Sequence, residues 1–282
     1  MLLILDCGRG PLHPYLDWLR DPSDVVLFTA RSRAELAHCD TDDYAQVRCF
    51  ERYDTSGEVE LAAVRLAHAS RIRAIVALAV EDAIRAGALR DHLGLPGQGR
   101  REAIVERDLV ALRAWLAAAG IPTLDGAAVQ RVSDLYWYGR HWGYPLRVRH
   151  RRRAGWPTVV ELHGEADVAE FTRGGLTSRL ENMPSLLIET ARDDHRDRIV
   201  VRCPVEGSGM MPVPSPRDAA ALAHAALARV TRPGEAAWRV ELVCCGSERD
   251  WRVDRIVRDA GNQAALARAQ AGLTWRGREV VA

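Results

Sequence analysis

The sequence predicts an α/β protein with a parallel sheet at its N-terminus followed by two α+β lobes. Over the first hundred residues, four short Val/Ile/Leu-rich runs alternate with helical patterns. Such alternation is typical of a Rossmann-like domain. A charged segment, 100–106, then separates this part from the rest, where strand-like and helical segments follow in mixed order. The predicted divisions are residues 1–102, 103–190 and 191–282.

The N-terminal strands are predicted from apolar runs bounded by polar or turn residues. These runs cover residues 2–5, 25–29, 47–50 and 74–78. Helical spacing of apolar residues predicts helices over 14–19, 33–37, 58–69 and 81–93. Gly94 and Pro96 end the last of these helices. We expect the charged residues 100–106 to form a hinge.

The second and third regions carry fewer but longer patterns. Val110, Leu112, Trp115 and Leu116 recur at helical spacing, and Gly120 followed by Pro122 ends that helix. Further strands are predicted at 146–148, 158–162, 186–189, 238–244 and 251–257, and further helices at 165–172, 218–230 and 263–270. The segment 191–216 is predicted to be irregular.

Composition argues against several classes of protein. The chain has 282 residues, 48% of them hydrophobic, and a formal charge of +1, which gives no global attraction to nucleic acid or membrane. No charged leader precedes the first apolar run, and no apolar stretch approaches the ~18 residues of a membrane span. The six cysteines lack zinc-site spacing, so we expect reduced thiols in the cytoplasm.

The order of motifs between Ile104 and Arg149 carries a family resemblance. A capped helix is followed by Gly120-Ile-Pro, then by Gly143-Tyr-Pro and, four residues after the proline, by the basic Arg149. This order resembles the ATP-grasp ligases, and the resemblance extends more weakly over the whole chain. It implies that ATP and Mg²⁺ are held between two lobes. It also implies that a small carboxylate is activated as an acyl phosphate and captured by an amine.

The resemblance assigns nucleotide-binding roles to three residues. Arg149 stands where the family has a lysine that contacts the nucleotide phosphates, although Arg149 also fits a solvated strand in a basic run. Gly155 is the residue that fits the Gly-rich loop over the triphosphate. Glu189 ends a strand that resembles the hinge between the lobes, where adenine and ribose bind, although a solvated acid is the alternative.

The resemblance also implies a magnesium site and a catalytic arginine near the C-terminus. Glu241 and Asp254 occupy the first and second metal-ligand positions on paired strands. Arg258 stands at the family's arginine for phosphate or substrate. Carboxylate oxygens are the ligands that Mg²⁺ prefers.

Several positions depart from the family pattern. Leu109 replaces a phosphate-binding lysine, Ile256 replaces the third metal ligand, and Trp156-Pro157 stiffens the Gly-rich loop. The region after Glu189 is short, so the C-terminal lobe is expected to be reduced. Other arginines, namely Arg147, Arg151 and Arg258, are candidates to replace the lost cation.

Three functions therefore stay open. The first is a divergent ATP-dependent ligase of specialised metabolism, and the second is a non-catalytic relative that acts as a binding or partner module. A nicotinamide-dependent oxidoreductase is a distant third, because the glycines after Asp6 lack the third one of a dinucleotide-binding turn. Trp137, Tyr138 and Trp142 are candidates for a homodimer contact, with packing inside the second lobe as the alternative.

Overall fold

A computed structural model describes most of the chain. The described residues are 1–9, 12–19, 24–39, 41–152, 156–173, 185–191, 198–203, 217–230, 238–245, 250–258, 267, 270 and 271. The predicted final helix, 263–270, lies almost wholly outside these residues, and Gly155 lies outside them as well. Within the described part, no helix is both long and apolar enough to cross a membrane.

The first sheet is parallel and has the strand order β3-β2-β1-β4. Its strands are β1 (Leu2–Asp6), β2 (Val25–Thr29), β3 (Gln46–Cys49) and β4 (Ala74–Ala77). The accompanying helices are α1 (Tyr15–Trp18), α2 (Arg33–Leu36), α3 (Glu58–Ala69) and α4 (Ala83–Leu93). Separate clusters of buried apolar side chains cover the two faces of the sheet, which explains the continuous apolar runs. The predicted Rossmann-like domain is confirmed.

The predicted hinge at 100–106 is wrong, because these residues form helix α5 (Arg100–Arg107). Ala103 and Val105 are buried while the arginines that open the helix are exposed, so the charges mark one face of a helix. Helices α4 and α5 meet at two glycines. A Cβ on Gly87 would lie 2.7 Å from backbone atoms of Gly99 and Arg100, so only glycine permits this approach.

The second sheet is antiparallel, with the order β5-β8-β6-β7. Its strands are β5 (Gly126–Val129), β6 (Leu146–His150), β7 (Thr158–Leu162) and β8 (Leu186–Thr190). Helices α7 (Val132–Trp142) and α8 (Glu165–Phe171) pack on it through one apolar cluster, to which Tyr138 and Trp142 contribute. The prediction had omitted β5 and α7.

The third sheet has the order β11-β10-β9 and is also antiparallel. Its strands are β9 (Arg198–Cys203), β10 (Trp238–Cys244) and β11 (Trp251–Arg258), and β9 falls in the segment predicted to be irregular. Helices α6 (Leu109–Ala117) and α9 (Arg217–Val230) contribute to its core. Helix α6 was predicted to belong with the second region, yet its buried leucines share one cluster with the third sheet.

A buried carboxyl group in the first domain makes a pH-dependent contribution to stability. Asp82 lies in the short 3₁₀ helix Val80–Asp82 and accepts a hydrogen bond from the Cys7 backbone N–H at 2.8 Å. Burial raises the pKa of Asp82 from 3.8 to about 6. The folded state therefore favours the protonated form, and its stability declines as the pH rises from about 4 to about 6.

Replacing Asp82 by asparagine should remove this pH dependence, because the amide keeps the acceptor oxygen and never ionises. Relative to the wild type, Asp82→Asn is expected to gain roughly 2–3 kcal/mol of unfolding free energy between pH 4 and pH 7. Urea denaturation at a series of pH values measures the difference. A constant difference over this range would contradict the raised pKa.

Candidate functional site

Three residues that the sequence assigned to one site do meet in the structure. The Nη1 atom of Arg149 lies 3.2 Å from Oε1 of Glu189 and 3.4 Å from Oδ1 of Asp254. The three are only 5%, 2% and 0% exposed, respectively. Arg149 and Glu189 belong to the second sheet and Asp254 to the third, so this cluster joins the two sheets.

Local strand geometry explains these positions. Strands β6 and β8 are neighbours, with Arg149 opposite Leu187 and Arg147 opposite Glu189. Asp254 is the extra residue of a β-bulge, since Glu241 and Leu242 pair with Arg255 and Val253. Bulges re-aim side chains, and here Asp254 contacts Arg113 and Arg149, whereas Val253 and Ile256 on the same strand belong to the apolar core.

A fourth residue, Arg113 of α6, completes the cluster, and the sequence interpretation missed it. Its Nη2 atom donates to Oε2 of Glu189 at 2.7 Å and to Oδ1 of Asp254 at 3.0 Å. Arg113 lies one helical turn after Leu109, on the same buried face. That spacing was the available signal: a basic residue four positions after the missing lysine. We call Arg113, Arg149, Glu189 and Asp254 the arginine–carboxylate cluster.

The backbone of β5 leaves room for Arg113. A Cβ on Gly126 would overlap with Nη1 of Arg113, so a larger residue here would require the guanidinium to shift from its observed position.

Electrostatics hold Asp254 in its ionised form. Burial alone would raise the pKa of Asp254, but the surrounding guanidinium groups, chiefly those of Arg113 and Arg149 with Arg255 and Arg198, together outweigh burial and hold that pKa below its ordinary value. Two guanidinium groups thus balance two carboxylates. The balance of hydrogen bonds is less complete, because Nε and Nη1 of Arg113 and Oδ2 of Asp254 are buried without a hydrogen-bond partner among the described residues.

The predicted magnesium ligands are close together, yet they do not fit Mg²⁺. Glu241 accepts a hydrogen bond from Nε of Arg255 at 2.6 Å and forms an ion pair with its Nη2, also at 2.6 Å. Nε of Arg255 also lies 4.0 Å from Asp254. A guanidinium group therefore stands between the two carboxylates, where it repels a cation. Ile256, at the third ligand position, lies in the apolar core and has no donor oxygen. Within the described residues, no group of three or more His, Cys, Asp or Glu side chains could hold a metal.

Arg258 does not join the cluster. Its guanidinium pairs with Glu106 of α5 and lies over the ring of Trp238, whose side chain belongs to the core of the third region. The catalytic role assigned to Arg258 therefore gains no support from its position.

The other arginines considered as replacement cations are also engaged by carboxylates. Arg147 lies 2.7 Å from Glu161, on the neighbouring strand. Arg151 and Arg152 pair with Asp108, the residue that caps α6, at 2.6 and 2.9 Å. Burial opposes ionisation of Asp108, but hydrogen bonds from these arginines hold its pKa below the usual range.

The loop that the resemblance assigned to covering the nucleotide is described from Trp156 onward, and this residue has a structural role. Trp156 is buried in the core of the third region, with a φ of 45°. Its carbonyl oxygen accepts from Nε of Arg149 at 2.9 Å, and its indole N–H donates to the carbonyl of Arg107 at 3.2 Å. Trp156 therefore orients Arg149 from behind.

Solved structures with the same architecture are ligases and carboxylases. The L-amino acid ligase from Bacillus licheniformis superposes with a TM-score of 0.63 at 13% identity, covering 94% of this chain and 68% of that one. The biotin carboxylase domain of the 2-oxoglutarate carboxylase from Hydrogenobacter thermophilus, in complex with MgADP, ADP and bicarbonate, gives 0.65 at 13% identity, covering 97% and 70%. An ADP complex of N5-carboxyaminoimidazole ribonucleotide synthetase gives 0.63 at 14% identity, covering 97% and 77%.

Comparison with protein-family models and with curated protein sequences gives no match. The structural likeness defines the fold. This chain has the ATP-grasp fold preceded by a Rossmann-like domain, and it is shorter than the solved chains it resembles. The fold predicted from the sequence is confirmed.

Proposed function

We propose that this protein binds ATP at the arginine–carboxylate cluster without carrying out metal-dependent ligation. One observation carries the proposal: the carboxylates predicted to serve nucleotide and metal, namely Glu189, Glu241 and Asp254, are all paired with guanidinium groups. An Mg²⁺ ion would have to displace those cations. The proposed function is therefore the second of the three functions considered from the sequence, a non-catalytic relative that acts as a binding module.

The cluster supplies the chemistry that an anionic ligand needs. Two buried donor groups of Arg113 have no hydrogen-bond partner among the residues that the structure describes, and buried donors in proteins are nearly always satisfied. Guanidinium groups match phosphate oxygens in geometry and charge. We assign the phosphate contacts to Arg113 and Arg149, and the ribose or adenine contact to Glu189.

The sequence's first candidate, a ligase, is supported by a different observation. Arg149, Glu189 and Asp254 come from distant parts of the chain and meet at the junction that the resemblance predicted. In that function, a small carboxylate attacks the γ-phosphate of ATP, which yields an acyl phosphate and ADP. An amine then displaces inorganic phosphate. The guanidinium groups would need to release their carboxylates first.

Isothermal titration calorimetry with ATP tests the binding function. We expect saturable binding to the wild type and a loss of about tenfold or more in affinity in Arg149→Met, because a charge-assisted hydrogen bond is removed. Arg140→Ala is the control, since Arg140 is exposed on α7 and pairs with Glu165. Circular dichroism establishes that each variant is folded.

Catalysis is tested separately with isotope-labelled ATP in the presence of Mg²⁺ and a panel of carboxylates. We expect no positional exchange of the label above the level of the Arg149→Met variant. Exchange that depends on one carboxylate would favour the ligase. Equal affinity for ATP in Arg149→Met and wild type would place the nucleotide elsewhere.

A further inference from the structure

At this site, an arginine on helix α6 stands in for the lysine that the family resemblance leads us to expect. The position where the family resemblance expects a lysine is Leu109, which is fully buried and apolar. One turn later, Arg113 extends from the same helix to both Glu189 and Asp254. A side chain that reaches both the hinge carboxylate and a metal-ligand carboxylate occupies the middle of the site.

Arginines also surround the carboxylates of the site. Five guanidinium groups approach four carboxylates along one continuous chain of ion pairs. The arginines are Arg113, Arg147, Arg149, Arg198 and Arg255, and the acids are Glu161, Glu189, Glu241 and Asp254. Counted over these described residues, the region carries a net positive charge of one without any metal ion. Positive charge of this kind repels a divalent cation and attracts a polyphosphate.

We propose that Arg113 and Arg149 supply the positive charge that a divalent cation would otherwise bring, so that this protein binds ATP without magnesium. This inference rests on the nucleotide binding proposed above. Arg113 is the specific compensating residue for Leu109. Its Nε and Nη1 groups have no hydrogen-bond partner within the described part of the chain, and they are the donors left for phosphate oxygens. Arg255 keeps a metal out by holding Glu241 at 2.6 Å.

Calorimetry of the full-length wild type with ATP, in EDTA and in excess Mg²⁺, tests the proposal. We expect the two affinities to agree within about threefold. An affinity that rises by about tenfold or more with Mg²⁺ overturns the inference and leaves nucleotide binding in place. Binding in neither buffer overturns the proposed function, and the inference with it, so the two failures are distinguishable.

Metal binding without nucleotide gives a second readout. Titration with Mn²⁺, followed by electron paramagnetic resonance, is expected to show no stoichiometric binding to the wild type, whereas a bound equivalent would contradict the proposal. In Arg255→Met, the carboxylate of Glu241 is released beside Asp254. This variant is expected to bind Mn²⁺ more tightly than the wild type, and unchanged Mn²⁺ affinity would contradict the role given to Arg255.

Arg113 variants identify the compensating cation. Arg113→Met should lower ATP affinity in EDTA by about tenfold or more, while Arg113→Lys should recover much of it, because the charge is kept. If Arg113→Met is not folded, the lysine variant still decides. Lysine offers three donors on one nitrogen and cannot reproduce the fork of donors, so full wild-type affinity in Arg113→Lys would exclude recognition through Nε and Nη1.

Discussion

Asp254→Ala is expected to lower the free energy of unfolding by about 3–5 kcal/mol, because it removes one partner from a buried set of ion pairs. Asp254 is fully buried and lies 3.0 Å from Arg113 and 3.4 Å from Arg149. Without it, two buried guanidinium groups share the single carboxylate of Glu189. Chemical denaturation measures the loss, with Arg140→Ala expected to stay within about 0.5 kcal/mol as an exposed control.

The pH dependence of the same contribution has a definite sign. The pKa of Asp254 is held below its ordinary value, so its stabilising effect is complete above that value and is lost as the pH falls through the lowered, folded-state pKa. The difference between wild type and Asp254→Ala should therefore shrink in acid. A difference that grows as the pH falls, or a loss below about 1 kcal/mol at neutral pH, would contradict the ionised cluster.

Gly87→Ala is expected to destabilise the protein by about 1–3 kcal/mol, although alanine favours helices over glycine by roughly 1 kcal/mol. The added methyl would lie 2.7 Å from backbone atoms of Gly99 and Arg100, and backbone cannot move as a flexible side chain does. Steric overlap therefore outweighs helix propensity. Thermal and urea unfolding of Gly87→Ala measure whether the free energy of unfolding falls or rises.

The control for this change is Gly57→Ser, at the N-cap of α3. A Cβ there meets nothing within 4 Å, and serine is at least as good a cap as glycine. Its unfolding free energy should change by only a few tenths of a kcal/mol. A stabilised Gly87→Ala would show that α4 and α5 separate more easily than their packing indicates.

Apolar patterning predicted most of the architecture, since buried strands and amphipathic helices leave a direct trace in the sequence. Residues 25–29, 58–69, 158–162 and 238–244 match the structure without error. The hinge prediction failed because the many charged residues of α5 outnumber its buried Ala103 and Val105, so the apolar pattern of the helix is weak. Strand β5 was missed because Gly126, Ala127 and Ala128 carry too little apolar bulk to produce a pattern.

Arg149, Glu189 and Asp254 could be placed near one another from the sequence because each follows a recognisable motif, and their roles in nucleotide and metal binding stay predictions. The sequence interpretation missed Arg113, because the four-residue spacing from Leu109 reveals a basic residue on that helix face but not its partners, which lie 76 and 141 residues away in the sequence. The assignment of Ile256 to the third ligand position, two residues after Asp254, presupposes a regular alternation of side chains along the strand. The bulge changes that alternation, and an extra residue in one strand leaves no periodic signal.

If ATP binds as proposed, closure of the cluster also determines how it arrives. Because Arg113 is anchored on α6, pairs with carboxylates of two different sheets and keeps Nε and Nη1 buried, the phosphates would reach these donors only in molecules in which the cluster has opened. The observed dissociation constant then equals the intrinsic one divided by the fraction of such open molecules. Association becomes limited by the opening step, so its rate levels off at high nucleotide concentration instead of rising without limit.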